Sequence, residues 1–263
     1  MKKASPFLIG LQFLTRIFIV KQSVWTEQSF GESVKYFPAV GAVLGILYAL
    51  TIGAINFLTA GNLPTFTGAI GFALMIILTG GIHCDGLMDT ADGLVSGRER
   101  EKILEIMKDS RAGAFGVVSM ILIAAIEIAT LTELARLSIW WLCVGIYTAP
   151  IIGRLMMVVT IGAFPYARAE GMGKAFAKYT TRRTIILAAV EATLLLLPLI
   201  FIGSSFLICA SLASVIALVM TIKFARFSTE KIGGVTGDIY GAITTLAEMF
   251  ALITFLLIGN YLR

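Results

Sequence analysis

Long apolar runs separated by polar breaks organise the whole chain. A helix that crosses a bilayer needs about 20 mostly apolar residues. Seven windows meet that requirement, at roughly 37–60, 63–82, 113–133, 137–160, 184–202, 204–222 and 239–259. The breaks at 61–62, 134–136 and 203 are very short, whereas those at 83–112, 161–183 and 223–238 are longer and polar. The pattern predicts an all-α fold: a polytopic integral membrane helical bundle of about seven transmembrane helices. Residues 4–20 read differently, because Pro6, Gln12 and Arg16 interrupt the run. An N-terminal interfacial helix is expected there, with Phe7, Leu8, Leu11 and Leu14 toward lipid; a true span is the alternative. Gly41, Gly45, Ala49 and Gly53 recur at the four-residue spacing of a close helix-packing face.

Composition agrees with the pattern. The chain is 58% hydrophobic and 14% charged, against about 25% charged in an average soluble domain. No polar stretch is long enough for a separate core, so residues 1–263 are expected to form one membrane-embedded domain. Cys84, Cys143 and Cys209 show neither disulfide nor metal spacing. No cleavable signal peptide is expected, since Lys2 and Lys3 precede a segment broken by Gln12 and Arg16 without a small-residue cleavage site.

Charge fixes the orientation. On the seven-span reading, all of the 21 Lys and Arg residues except Arg136 and Arg263 fall on one side. That side is the cytoplasm by the positive-inside rule, which predicts a multi-pass protein of the plasma or inner membrane with cytoplasmic 83–112 and 223–238 loops. The net charge of +5 therefore reflects topology and an anionic substrate rather than nucleic-acid binding.

The chemistry concentrates in His83-Cys-Asp-Gly-Leu-Met-Asp-Thr-Ala-Asp-Gly93. If this stretch continues the second span as a helix, Asp85, Asp89 and Asp92 stand at i, i+4 and i+7, and their directions fall within roughly 60° of one another. Like charges so placed repel, more so where water is scarce. A cation between them resolves the conflict, and carboxylates suit hard ions such as Mg²⁺ that keep positions open for substrate phosphates. A solvated acidic helix end is the plainer alternative. Ser96-Gly-Arg-Glu99 looks like a capping box for a second helix over about 97–110. Beyond it, Asp109 is a candidate fourth carboxylate, and Lys108 and Arg111 are candidate phosphate ligands or ordinary positive-inside anchors. His83, the only histidine, lies away from the Asp face.

Gly233-Gly-Val-Thr-Gly-Asp238 precedes the last span. Gly234, Thr236 and Gly237 are candidate anion contacts, because glycines and a following helix N-terminus present backbone N–H groups. Asp238 is a candidate metal ligand or base, or the helix N-cap. The loop lacks the G-x-x-x-x-G-K-[ST] pattern of a P-loop. Glu127, Glu191 and Glu248 are isolated acids in apolar runs; Glu248 needs a partner or a packing role.

The Asp segment, followed by Met107-Lys-Asp-Ser-Arg-Ala-Gly113, strongly resembles the adenosylcobinamide-GDP ribazoletransferase family, also called cobalamin synthase. Leu11-Gln-Phe-Leu-Thr-Arg16, Phe37-Pro-Ala-Val-Gly41 and Gly233-Gly-Val-Thr-Gly-Asp238 with Gly241 are similar to other segments of that family, in order from about residue 7 to 248. Cys84 departs from an expected leucine. The resemblance implies a Mg²⁺-dependent enzyme that joins adenosylcobinamide-GDP to α-ribazole or its 5′-phosphate with loss of GMP. Applied to these residues, it makes Asp85, Asp89, Asp92 and Asp109 metal ligands. Asp89, Asp92 or Asp238 then accepts the hydroxyl proton, and Lys108, Arg111 and the Gly-rich loop bind phosphate. The expected partners are these substrates and the bilayer, without nucleic acid, and a homo-oligomer is left open.

Two other readings fit less well. Asp89-Thr-Ala-Asp-Gly93 opens like a CDP-alcohol phosphatidyltransferase signature, but Leu94-Val-Ser-Gly97 replaces the Ala-Arg pair that should follow, and the later aspartates are missing. A transporter would place its acids near the bilayer midplane with broken helices on both sides; here they cluster at one boundary.

Overall fold

The computed structural model describes residues 5–21 and 26–262. Lys2, Lys3 and Arg263 of the charge tally lie outside the described residues. Helix α1 (Pro6–Leu14) is followed by α2 (Glu27–Ser33), a 3₁₀ turn (Val34–Tyr36) and α3 (Phe37–Leu58). Next come α4 (Pro64–Thr79), α5 (Ile82–Leu94), α6 (Arg100–Ile106), α7 (Ala114–Leu137) and α8 (Ile139–Ala163). The chain ends with α9 (Met172–Tyr179), α10 (Arg182–Leu196), α11 (Leu199–Ile202), α12 (Ser204–Ile232) and α13 (Gly237–Tyr261). Six segments are long and apolar enough to cross a membrane, and α4 with α5 makes a seventh if the bent pair is one span. The chain is a multi-pass helical membrane protein.

Helices α8 and α13 form the centre. They pack on each other, with α3 along α8 and α5 along α13. Small residues permit these approaches: a Cβ on Gly41 or Gly45 would strike the Pro150 or Tyr147 carbonyl of α8. Those two glycines are packing positions as expected, whereas a Cβ on Gly53 would meet nothing within 4 Å. Arg154 of α8 is 0% exposed and forms an ion pair with Glu248 of α13. Arg154 is therefore a core residue and drops out of the loop charge tally. Glu191 accepts the Ala39 N–H at 3.2 Å.

Three local expectations change. First, the Asp-rich helix does not continue the second span. Gly80 and Gly81 both adopt left-handed φ (66° and 74°), and α5 turns 91° from α4. At 16 residues, α4 is about 24 Å long, short of a hydrocarbon core of about 30 Å. Second, Leu11 and Leu14 do not face lipid; both are buried in the core, as α1 packs on α2 and α3. Third, the capping box at Ser96 does not form: α6 starts at Arg100 without a side-chain cap, and Ser96 Oγ instead donates to the Gly93 carbonyl. The 223–238 break is also mostly helix, since α12 runs on to Ile232.

Candidate functional site

Helix α5 carries Asp85, Asp89 and Asp92 on one side, and two glycine contacts set it against α13. A Cβ on Gly86 would lie 2.6 Å from the Asp238 carbonyl oxygen, and one on Gly241 would lie 3.2 Å from the His83 Cα. This approach places Asp238, at the start of α13, beside the α5 acids. The charges of Asp85, Asp238 and Asp92 all act on Asp89, opposed by Arg168.

The four acids differ in what already holds them. Asp92 receives the N-terminus of α7: the Gly113 N–H donates to Oδ2 (2.8 Å) and the Gly116 N–H to Oδ1 (2.9 Å). It satisfies two of the N–H groups that a helix start leaves free, and its negative charge is favoured there. The glycines are required, because a Cβ at either position would collide with this carboxylate. Asp238 is held by Arg168, whose Nη2 donates to Oδ2 at 2.6 Å, and by Thr236 Oγ1 at 3.2 Å. The helix cap is Thr236, which accepts the Ile239 N–H, so Asp238 is not the N-cap. The carboxylates of Asp85 and Asp89 make no hydrogen bond or ion pair among the described residues.

Asp109 is not brought to this cluster. Its carboxylate accepts from Arg111 Nη2 at 2.6 Å and from the Arg111 N–H at 3.0 Å on an exposed loop. Arg111 holds the Asp109 carboxyl down to about 2, chiefly through the side-chain hydrogen bonds. Lys108 is likewise exposed. Among the described residues, no three His, Cys, Asp or Glu side chains are arranged to hold one ion.

The Gly-rich loop divides in the same way. Gly234 is buried, and a Cβ there would strike the Pro165 carbonyl. Val235 exchanges backbone hydrogen bonds with the 165–167 segment: its N–H donates to the Pro165 carbonyl and its carbonyl accepts the Ala167 N–H, each at 2.8 Å. Gly237 borders a cavity of 210 Å³ also lined by Asp85, Asp238, His83, Tyr240 and Phe176. A second cavity of 510 Å³ shares Phe13, Ile82 and Asp85 with the first and adds Gln12 and Arg16.

Arg168 is the site residue that sequence reasoning missed. It counted only as a positive charge, yet it bridges Asp238 to the Met107 carbonyl (3.3 Å) at the end of α6. Arg100 adds a second tie, donating to the Ile232 (2.9 Å) and Ala167 (3.2 Å) carbonyls. These partners lie 61 to 132 positions apart in the chain, a separation that motif spacing does not reveal.

Comparison with known proteins places the chain in a family. A family model described as Cobalamin-5-phosphate synthase matches residues 6–256. An adenosylcobinamide-GDP ribazoletransferase of Desulfitobacterium hafniense is 39% identical, over 93% of this chain and 94% of its own length. Proteins of the same name from Fusobacterium nucleatum (34% identical, 97% and 98% covered) and Desulforamulus reducens (35%, 98% of both) are also similar. No solved structure matches. By this near-complete similarity, the chain belongs to the cobalamin-5-phosphate synthase family.

Proposed function

We propose that this membrane transferase of cobalamin nucleotide-loop assembly joins adenosylcobinamide-GDP to α-ribazole, or to α-ribazole 5′-phosphate, with release of GMP. One observation carries the chemical reading. Asp85 and Asp89, one helical turn apart and free of partners, stand beside an Asp238 whose other contacts fix its position.

This donor set fits Mg²⁺. Such ions are usually held by one or two carboxylates together with substrate phosphates and water, rather than by an all-protein cage, and that accords with the lack of a three-ligand cluster. Asp85 and Asp89 would hold the ion. Asp92, bound at the α7 N-terminus, would serve by orientation, and Asp109 is left out of the ligand set. When bound, Mg²⁺ supplies neutralisation of charge on the diphosphate and on leaving GMP.

The chain's own groups account for the rest. A ribose hydroxyl oxygen of α-ribazole forms a bond to the cobinamide-side phosphorus. The bond from that phosphorus to the bridging oxygen breaks, and GMP departs with the oxygen. Asp238 takes the hydroxyl proton, held in place by Arg168 and Thr236. Gly237 leaves room beside it, since a Cβ there would meet nothing within 4 Å. The basic asymmetry of the loops supports placing this face in the cytoplasm, in the plasma or inner membrane, where nucleotide substrates are found.

The test is GMP release by the purified protein given adenosylcobinamide-GDP, α-ribazole and Mg²⁺. Wild type should form a cobalamin product, and Asp89→Asn should lose about 100-fold or more in turnover. Near-normal turnover of Asp89→Asn would sink its role as a ligand. CDP-linked lipid supplied in parallel should give no product.

A further inference from the structure

The wall of the 210 Å³ cavity is of two kinds. Asp85, Asp238 and Gly237 supply the reactive part, while Phe13, Phe176, Met157 and Tyr240 make much of the remainder aromatic or apolar. Phe176 is buried and fixed edge-on by three other rings, with centroids 5.1 Å from Phe13 and 5.8 Å from both Phe30 and Phe37. Such a wall is pre-formed, so ligand binding need not order it. Drug-sized ligands fill about 300–1,000 Å³, so this cavity holds one flat ring system and little more.

Two polar atoms stand out in this setting. Tyr240 and His83 are 3% and 5% exposed, and among the described residues neither the Tyr240 hydroxyl nor His83 Nε2 has a hydrogen-bond partner. Buried polar groups without partners are rare and costly, and the reaction above uses neither.

We propose that this cavity takes the bicyclic aromatic base of the ribazole nucleoside, packed against Phe13, Phe176 and Tyr240, with the Tyr240 hydroxyl donating to the free ring nitrogen. The assignment rests on the acceptor named above. It places the sugar of the nucleoside toward Asp85 and Asp238, where its hydroxyl must react. Guanine, the other bicyclic base in the reaction, carries donors and acceptors around its edge that the aromatic and apolar part of this wall would leave unpaired. The larger, more polar cavity on Asp85, with Gln12 and Arg16 in its wall, is left for the cobinamide-GDP partner.

The experiment measures steady-state kinetics of the full chain in detergent, with each substrate varied in turn. Tyr240→Phe should raise the KM for α-ribazole about tenfold and leave that for adenosylcobinamide-GDP within about twofold. Its thermal midpoint should not fall, because the deleted hydroxyl has no partner among the described residues. Benzimidazole alone should inhibit wild type competitively against α-ribazole, and more weakly in Phe176→Leu. An unmoved nucleoside KM, a shift confined to adenosylcobinamide-GDP, or benzimidazole competing with that substrate would each overturn the subsite. Wild type that releases no GMP would instead refute the reaction itself, and the two failures are read separately.

Discussion

The Arg154–Glu248 pair offers the sharpest energetic test of the bundle. Arg154 is 0% and Glu248 6% exposed, and the Arg154 Nε and Nη2 have no further partner among the described residues. A Cβ on Gly153 would lie 2.8 Å from the Glu248 Cγ, so α8 and α13 are in close contact around the pair. Glu248→Leu therefore strands a guanidinium in the core. Removing one member of a buried pair costs about 3–5 kcal/mol, because the remaining charge stays desolvated and uncompensated. At about 2–4 °C per kcal/mol for a chain of this size, the midpoint should fall by roughly 6–20 °C. The double variant Arg154→Met/Glu248→Leu removes both charges, and apolar replacement of a buried pair is often neutral or stabilising. It should recover most of the loss. Thermal unfolding in detergent can be followed with a thiol-reactive fluorophore that reports exposure of the buried Cys209. A Glu248→Leu midpoint within 2 °C or so of wild type would refute the reasoning, as would a double variant no more stable than the single.

Two further predictions concern the site and its rim. Gly86→Ala forces a methyl group against the Asp238 carbonyl, a backbone atom that no rotamer change can move. Overpacking of this kind costs about 1–3 kcal/mol, and displacing Asp85 and Asp89 from Asp238 should reduce GMP release by about 100-fold; turnover within twofold of wild type would show that the close approach does not position the acids. Arg111→Ala should return the Asp109 carboxyl from about 2 to the ordinary value of about 3.9, measured by NMR titration. Because the folded value is depressed, the Asp109–Arg111 contact is intact above about pH 4 and is lost as pH falls toward 2. The pair is exposed, so removing Arg111 should leave the thermal midpoint at neutral pH unchanged.

Periodicity and chain-specific chemistry differ in how far the sequence discloses them. The spans were legible because lipid demands long apolar helices whatever their neighbours, and α3, α7, α8, α12 and α13 fall where the hydropathy places them. The break at Gly80–Gly81 was not, since an apolar window runs straight through a bend that consists of two left-handed φ angles. Leu11 and Leu14 were assigned to lipid because apolarity cannot distinguish lipid from protein; only the arrival of α2 and α3 decides. Glu248 called for either a partner or a packing role, and Arg154, 94 positions earlier, was hidden among charges read as topology.

The acids make the same distinction at the site. Helical spacing put Asp85, Asp89 and Asp92 on one face, and three equivalent ligands follow only if nothing else approaches that face. The chain returns 21 and 24 positions later with the Gly113 and Gly116 N–H groups and takes both Asp92 oxygens. The same return leaves Asp109 outside, paired with Arg111. Asp85 and Asp89 are consequently the carboxylates still free to hold a cation, while Asp92 ties α5 to α7 and fixes the direction in which they point. The Arg-Ala-Gly-Ala-Phe-Gly stretch at 111–116 thus belongs to the site through its backbone: its two glycines are the places where a carboxylate from α5 can dock. A glycine three positions from another, just before an apolar run and after an acidic helix, is the one trace of that contact the sequence carries.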